Sequence, residues 1–174
     1  MKKIILSILV IICIGLYSCD AQSQTNSILP DLIAPSAVAI RINKETNPIF
    51  KLTDSPTILT SVLGKPKSID NINSEQDTKI YKEYIYDNAS FYFDADKLTS
   101  IHIKTSSFIL SLNGLHHIRV GDNISGLQDI FPNSYHLKED GQLFVNFKTS
   151  NGTATDEAIL FEYDSTGVLT NIII

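Results

Sequence analysis

The 174-residue chain has no tryptophan, one methionine, two cysteines and four histidines. So few thiols and imidazoles leave little from which to build a metal centre, a thiol nucleophile or a histidine general base. Arginine is confined to Arg41 and Arg119, and 14 basic residues face 19 acidic ones, a formal charge of −5. A polyanion binder needs a basic surface, so nucleic acid is not an expected partner. HExxH, CxxC, GxSxG and a glycine-rich phosphate loop are all missing from the sequence. Each of those motifs places specific chemistry, and without them a non-enzymatic protein with no cofactor and no metal is expected.

What is present begins with the leader. Met1-Lys2-Lys3 is a short positive region followed by the apolar stretch Ile4 to Leu16. As a helix that stretch rises only about 20 Å, too little for a hydrocarbon core of about 30 Å, but it suits the apolar region of a secretory signal. Leu16-Tyr17-Ser18-Cys19 follows and resembles the lipobox of bacterial prolipoproteins, with small Ser18 directly before the cysteine. Tyr17 departs from the small or aliphatic residue usual at its position. The resemblance implies a signal peptide over 1–18, cleavage before Cys19 and acylation of that residue, placing the protein in the bacterial cell envelope. Acyl chains contribute roughly 0.8 kcal/mol per buried CH₂, so two or three hold a protein on a membrane without a spanning helix. Cys13 would leave with the leader and the Cys19 sulfur would be blocked, leaving no disulfide or free thiol. Loss of Lys2 and Lys3 leaves 12 basic and 19 acidic residues, a net −7.

Residues 19–36, rich in Gln, Ser, Asn, Ala and Pro, are expected to be a flexible tether. Beyond it the sequence matches itself. Phe91-x-Phe93-Asp94 corresponds to Phe161-x-Tyr163-Asp164 at an offset of 70, and Leu98-Thr99-x-Ile101-x-Ile103 to Leu169-Thr170-x-Ile172-x-Ile174 at 71. Val38-x-Ile40-x-Ile42-Asn43 falls on Phe108-x-Leu110-x-Leu112-Asn113, and 52–63 aligns with 120–131 at an offset of 68. Three blocks in one order at nearly one spacing read as two tandem repeats, 37–106 and 107–174.

Each repeat is expected to open with a strand of period 2 (38–43, 108–112), then a second short strand (49–53, 118–121) and a short helix. In the first repeat Asp54 or Ser55 caps, Pro56 suits the first turn and Gly64 stops the helix, with Ile58, Leu59, Val62 and Leu63 on one face. In the second, Asp122 or Asn123 caps, Ile124, Leu127, Ile130 and Phe131 form the stripe, and Pro132 terminates. Three strands complete each repeat: 79–86, 91–94 and 98–104, then 142–149, 158–163 and 168–174. The expected class is α+β, mostly antiparallel β, each repeat a short helix packed on a small antiparallel sheet with one face open.

A short helix ending in Leu63-Gly64-Lys65-Pro66, followed by a hairpin-rich sheet in tandem copies of about 70 residues, resembles the BamE and β-lactamase-inhibitor-protein type of module. The second copy has Phe131-Pro132 without the glycine, and the leading strand 38–43 is additional to the simplest form of that module. The resemblance implies protein–protein binding or envelope assembly, and carries over no binding residue.

Among polar candidates, His116 and His117 are adjacent, so on a strand they point to opposite faces and do not share an ion. Asp94 and Asp164 occupy matching turns, where Asp bonds the local backbone; Asp156-Glu157 reads as a solvated loop end. Strand parity places Phe91 and Phe93 inward and Tyr92 outward, with His102 and Lys104 outward on the next strand and Tyr81 and Ile85 joining them. Tyrosine combines buried area with a polar tip, so Tyr81, Ile85, Tyr92, His102 and Lys104 are the candidate partner-binding face. The expected protein is thus a membrane-anchored lipoprotein binding a protein partner as an assembly accessory, scaffold or inhibitor. Its alternatives are an immunity-type lipoprotein against a basic envelope toxin and, from another class, a hydrolase or carbohydrate-binding lipoprotein.

Overall fold

A computed structural model describes residues 28–42, 50–73 and 79–174. Cys19, the leader, the first half of the expected tether and Ile49 lie outside the described residues. Among the described residues the chain is mostly antiparallel β with two short α-helices. Its elements are β1 (Leu32–Ile33), β2 (Val38–Ile42), β3 (Phe50–Lys51), α1 (Pro56–Leu63), β4 (Ser68–Asn73), β5 (Ile80–Ile85), β6 (Ala89–Asp94), β7 (Lys97–Ile103), β8 (Phe108–Leu112), β9 (His116–Ile118), α2 (Pro132–Leu137), β10 (Gln142–Lys148), β11 (Ala154–Tyr163) and β12 (Leu169–Ile173).

Alternation along the hairpins drives the assembly. Phe91, Phe93, Ile101 and Ile103 lie on one face and are fully buried, as are Phe161 and Ile172. The second hairpin turn closes on Asp164, whose Oδ1 accepts from Thr166 N (2.8 Å), Thr166 Oγ1 (2.6 Å) and Val168 N (3.0 Å). Those bonds, the Thr166 hydroxyl first, hold the Asp164 carboxyl below its ordinary value. Gly167 completes the turn at φ +81, a conformation that an L side chain resists.

The strands form two sheets. The larger runs β4-β5-β6-β7-β12-β11-β10-β1, and the smaller β3-β2-β8-β9. The smaller sheet lies across the inner face of the larger, with Phe91 at the junction: its ring meets Phe50 edge-on at 5.5 Å and Phe108 at 6.2 Å. At the middle of the small sheet Ile40 is opposite Leu110, flanked by Val38–Leu112 and Ile42–Phe108. At the middle of the large sheet His102 is opposite Ile173, flanked by Ile103–Ile172 and by Ile101 and Ile174, which bond reciprocally at 2.9 and 3.0 Å. Each central pair joins residues that match in sequence at offset 70 or 71. The turns after β3 and β9 are also alike: Lys51 N donates to Asp54 Oδ2 and Arg119 N to Asp122 Oδ2, both at 2.8 Å.

Several expectations need correction. The inner face is covered mainly by the second sheet and not by helices, because strands β2 and β8 are apolar on the facing positions and pair with each other. Helix α1 forms where expected, with Pro56 in its first turn and Gly64 ending it at φ +77, but only Leu59 is fully buried and Ile58 and Val62 remain exposed. Asp54 serves the preceding turn, and Ser55, at the N-cap position, makes no side-chain cap bond. In the second half, 124–127 is a single 3-10 turn capped by Asn123, whose Oδ1 accepts from Ser125 N at 2.9 Å. Pro132 starts α2 instead of terminating a helix, since its missing N–H and preset φ suit the first turn. The short strand there is His116–Ile118, and not 118–121, because the turn closed by Asp122 begins at Arg119. Strand β4 was not expected: all six of its residues are exposed, so no burial pattern marks it. Within the stretch expected to be a tether, Leu32–Ile33 instead pairs in parallel with Asn146–Phe147 and buries Ile33. Asp31 secures that strand, its N–H donating to Ser134 Oγ (2.9 Å) and its Oδ2 accepting from Ser134 N (2.8 Å).

Candidate binding face

The outer face of the large sheet carries no helix or second sheet over β5, β6 and β7 among the described elements. Parity along β5 turns Tyr84 inward, where it meets Phe93 edge-on at 5.2 Å, and turns Tyr81, Glu83 and Ile85 outward. The register sets Glu83 opposite Tyr92 on β6, Tyr92 opposite Ser100 on β7, and Ser90 opposite His102.

Tyr92 is the centre of this face. Its Oη donates to Glu83 Oε1 at 2.7 Å and lies 3.5 Å from His102 Nδ1. The two rings are 4.8 Å apart and tilted by 53°. Partial burial, then the Glu83 hydrogen bond and charge, push the Tyr92 phenol up to about 12. His102 is shifted down from the ordinary histidine value, by burial first and the Lys104 cation second, against the opposing pull of Glu83 and Glu162. Glu162 accepts from Asn171 Nδ2 at 3.1 Å, extending the polar cluster towards β11 and β12. Near neutral pH this leaves a protonated phenol and a neutral imidazole side by side, groups that recognise donors and acceptors without carrying charge.

Beside them is a shallow depression of about 360 Å³ lined by Ile72, Tyr81, Tyr92, Thr99, Ser100 and His102. Of the five candidate residues, Tyr81, Tyr92 and His102 line it. Ile85 shares the sheet face at the far end of β5, opposite Ser90 and Ser68, and Lys104 is exposed just past the end of β7. Two contributors were missed. Glu83 has the same parity as Tyr81 and Ile85, a signal the period-2 pattern already held. Ile72 belongs to β4, which nothing in the sequence pattern marked.

The other polar candidates lie elsewhere. His116 and His117 are both exposed on β9, an edge strand of the small sheet. Asp94 pairs with Lys79 at 2.7 Å at the end of β6. Among the described residues no three His, Cys, Asp or Glu side chains gather as a metal set, and no helix is long and apolar enough to cross a membrane. Comparison with protein-family models, with curated proteins and with solved structures finds no match.

Proposed function

We propose that this protein is a bacterial envelope lipoprotein, anchored through acylated Cys19, whose duplicated domain binds another protein through the outer face of its larger sheet. The observation that carries the binding reading is the Tyr92–His102–Glu83 cluster beside a shallow, partly apolar depression on a sheet face with no helix over it among the described residues. A flat surface with two tyrosines, a neutral histidine and an exposed isoleucine suits a protein contact: it offers apolar area with a few oriented polar tips. The same cluster is poorly suited to catalysis. A phenol held near 12 is a weak acid, and its O–H is already engaged as a donor to Glu83.

The duplication is supported by the two sheet centres, where sequence-matched residues face one another, and by the paired Lys51–Asp54 and Arg119–Asp122 turns. Two copies of one unit related by a two-fold axis would give such self-matching registers. The anchor rests on Leu16-Tyr17-Ser18-Cys19 alone.

The test is crosslinking capture of the tagged full-length protein from its native membranes, read by mass spectrometry, beside Tyr92→Ala and Cys19→Ala. One stoichiometric protein partner lost with Tyr92→Ala is expected. Capture unchanged by Tyr92→Ala would overturn the assignment of the face, and membrane retention of Cys19→Ala would overturn the anchor.

A further inference from the structure

The segment after β9 lies along β12. Gly121 N donates to Leu169 O (2.8 Å), Leu169 N to Asp122 O (2.8 Å) and Ile124 N to Gly167 O (2.7 Å). Asn123 is bridged antiparallel to Val168. The first half of the chain has the same parts: Leu52–Asp54 follow β3 as Val120–Asp122 follow β9, and Leu98 matches Leu169. Yet no backbone bond joins 52–55 to β7 among the described residues.

A cleft of about 220 Å³ lies there instead, walled by Leu52 and Thr53 on one side and by Leu98, Thr99 and Ser100 on the other, with Ile174 at its end. It exists because β12 reaches β7 only as far as the Ile101–Ile174 pair. Strands β7 and β12 are bulged at matching places, opposite Tyr92/Phe93 and Glu162/Tyr163. A bulge changes which side the following backbone groups face. After its bulge Leu169 turns both N–H and C=O to the 121–122 segment, and Leu98, at the equivalent place after the β7 bulge, lines the cleft. Across the cleft, Glu157 N is engaged by Thr155 Oγ1 at 3.3 Å, so β7 is the edge left to pair.

We propose that this cleft is a strand-addition site, taking a short extended peptide antiparallel to β7 with its main chain bonded to Leu98. Main-chain bonds supply affinity in such sites, and side-chain pockets supply selection. The occupant's chemistry is that of the segment filling the matching place: a small residue followed by Asp or Asn, as in Gly121-Asp122-Asn123. A second copy is the wrong occupant, because its own 121–124 segment is already bonded to its own β12. The cleft shares Thr99 and Ser100 with the Tyr92–His102 depression, so one partner could cover the face and extend a strand into the cleft. The choice of occupant rests on the duplication reading; the cleft itself does not.

The test is an amide NMR titration of the full chain with a blocked heptapeptide of sequence Arg-Val-Gly-Asp-Asn-Ile-Ser, repeated with the same peptide N-methylated at glycine. Saturable shifts at Lys97–Ser100 and Thr53 are expected, with binding at least tenfold weaker for the N-methyl peptide, which cannot donate to Leu98. Absence of saturable shifts at 97–100, shifts confined to β4 or to Tyr92 and His102, or equal binding of the two peptides would each overturn the proposal. None of these outcomes depends on Tyr92→Ala, so the outer-face reading stands or falls separately.

Discussion

Tyr92 donates a hydrogen bond from its phenol to Glu83 across the β5–β6 pair at 2.7 Å while its ring leans on His102 at 4.8 Å. One side chain therefore ties three strands together on a surface with no helix over it among the described residues. The consequences can be separated by measurement.

Tyr92→Phe keeps the ring on His102 and removes the hydroxyl, with its bond to Glu83 and its 3.5 Å contact to His102 Nδ1. A hydrogen bond between partly exposed groups contributes about 0.5–1.5 kcal/mol net, so denaturant unfolding should show a loss in that range and no change in m-value. A loss of about 3 kcal/mol or more would mean that the face is a structural surface and not a contact surface.

The Tyr92 phenol should titrate near 12, above the ordinary tyrosine value. Folded-state protonation is favoured, so its contribution to stability is complete below about pH 10 and fades as pH rises towards 12. Glu83→Gln removes the negative charge, and a spectrophotometric titration should then show the Tyr92 phenol ionising earlier.

His102 has the opposite sign. Its folded value lies below the ordinary 6.5, so the unfolded chain binds the proton more readily. Stability from this group is present above about pH 6.5 and is lost as pH falls through and below that value. Unfolding midpoints should decline over that window, and His102→Gln should flatten the decline. An unchanged slope in the variant would show that His102 is not the group responsible.

Phe91 is fully buried where the two sheets meet, against Phe50, Tyr86 and Phe108. Phe91→Ala should cost about 3–5 kcal/mol, the range for emptying a large aromatic site. Tyr92→Ala, one residue away but facing out, should cost far less. Calorimetry of the pair compares the two faces directly.

Asp54→Ala and Asp122→Ala each remove one turn-closing bond of the same geometry. Losses of about 1 kcal/mol apiece are expected, and they should add, since the two turns belong to different ends of the small sheet. The Asp122→Ala loss should be the larger if the segment it closes loosens from β12.

The sequence by itself determined the local elements. Period-2 alternation with turn residues located the β5–β6–β7 and β10–β11–β12 hairpins to within a few residues, and Pro56 with Gly64 bounded α1, because hydrophobic alternation and backbone preference are local properties. It also placed Tyr81, Tyr92 and His102 on one face, since parity follows from residue number alone. Only the tertiary structure decided how the halves meet. Ile40 opposite Leu110 and His102 opposite Ile173 are contacts between residues about 70 positions apart, and no local pattern encodes a partner. The same holds for β1 and β4, too short or too exposed to leave a periodic signature, and for Pro132, which begins one helix where it was expected to end another. Glu83 joined Tyr92 through a register that only the packed sheet sets, and the cleft beside Leu98 exists because one half closes on itself with backbone bonds that the other does not make.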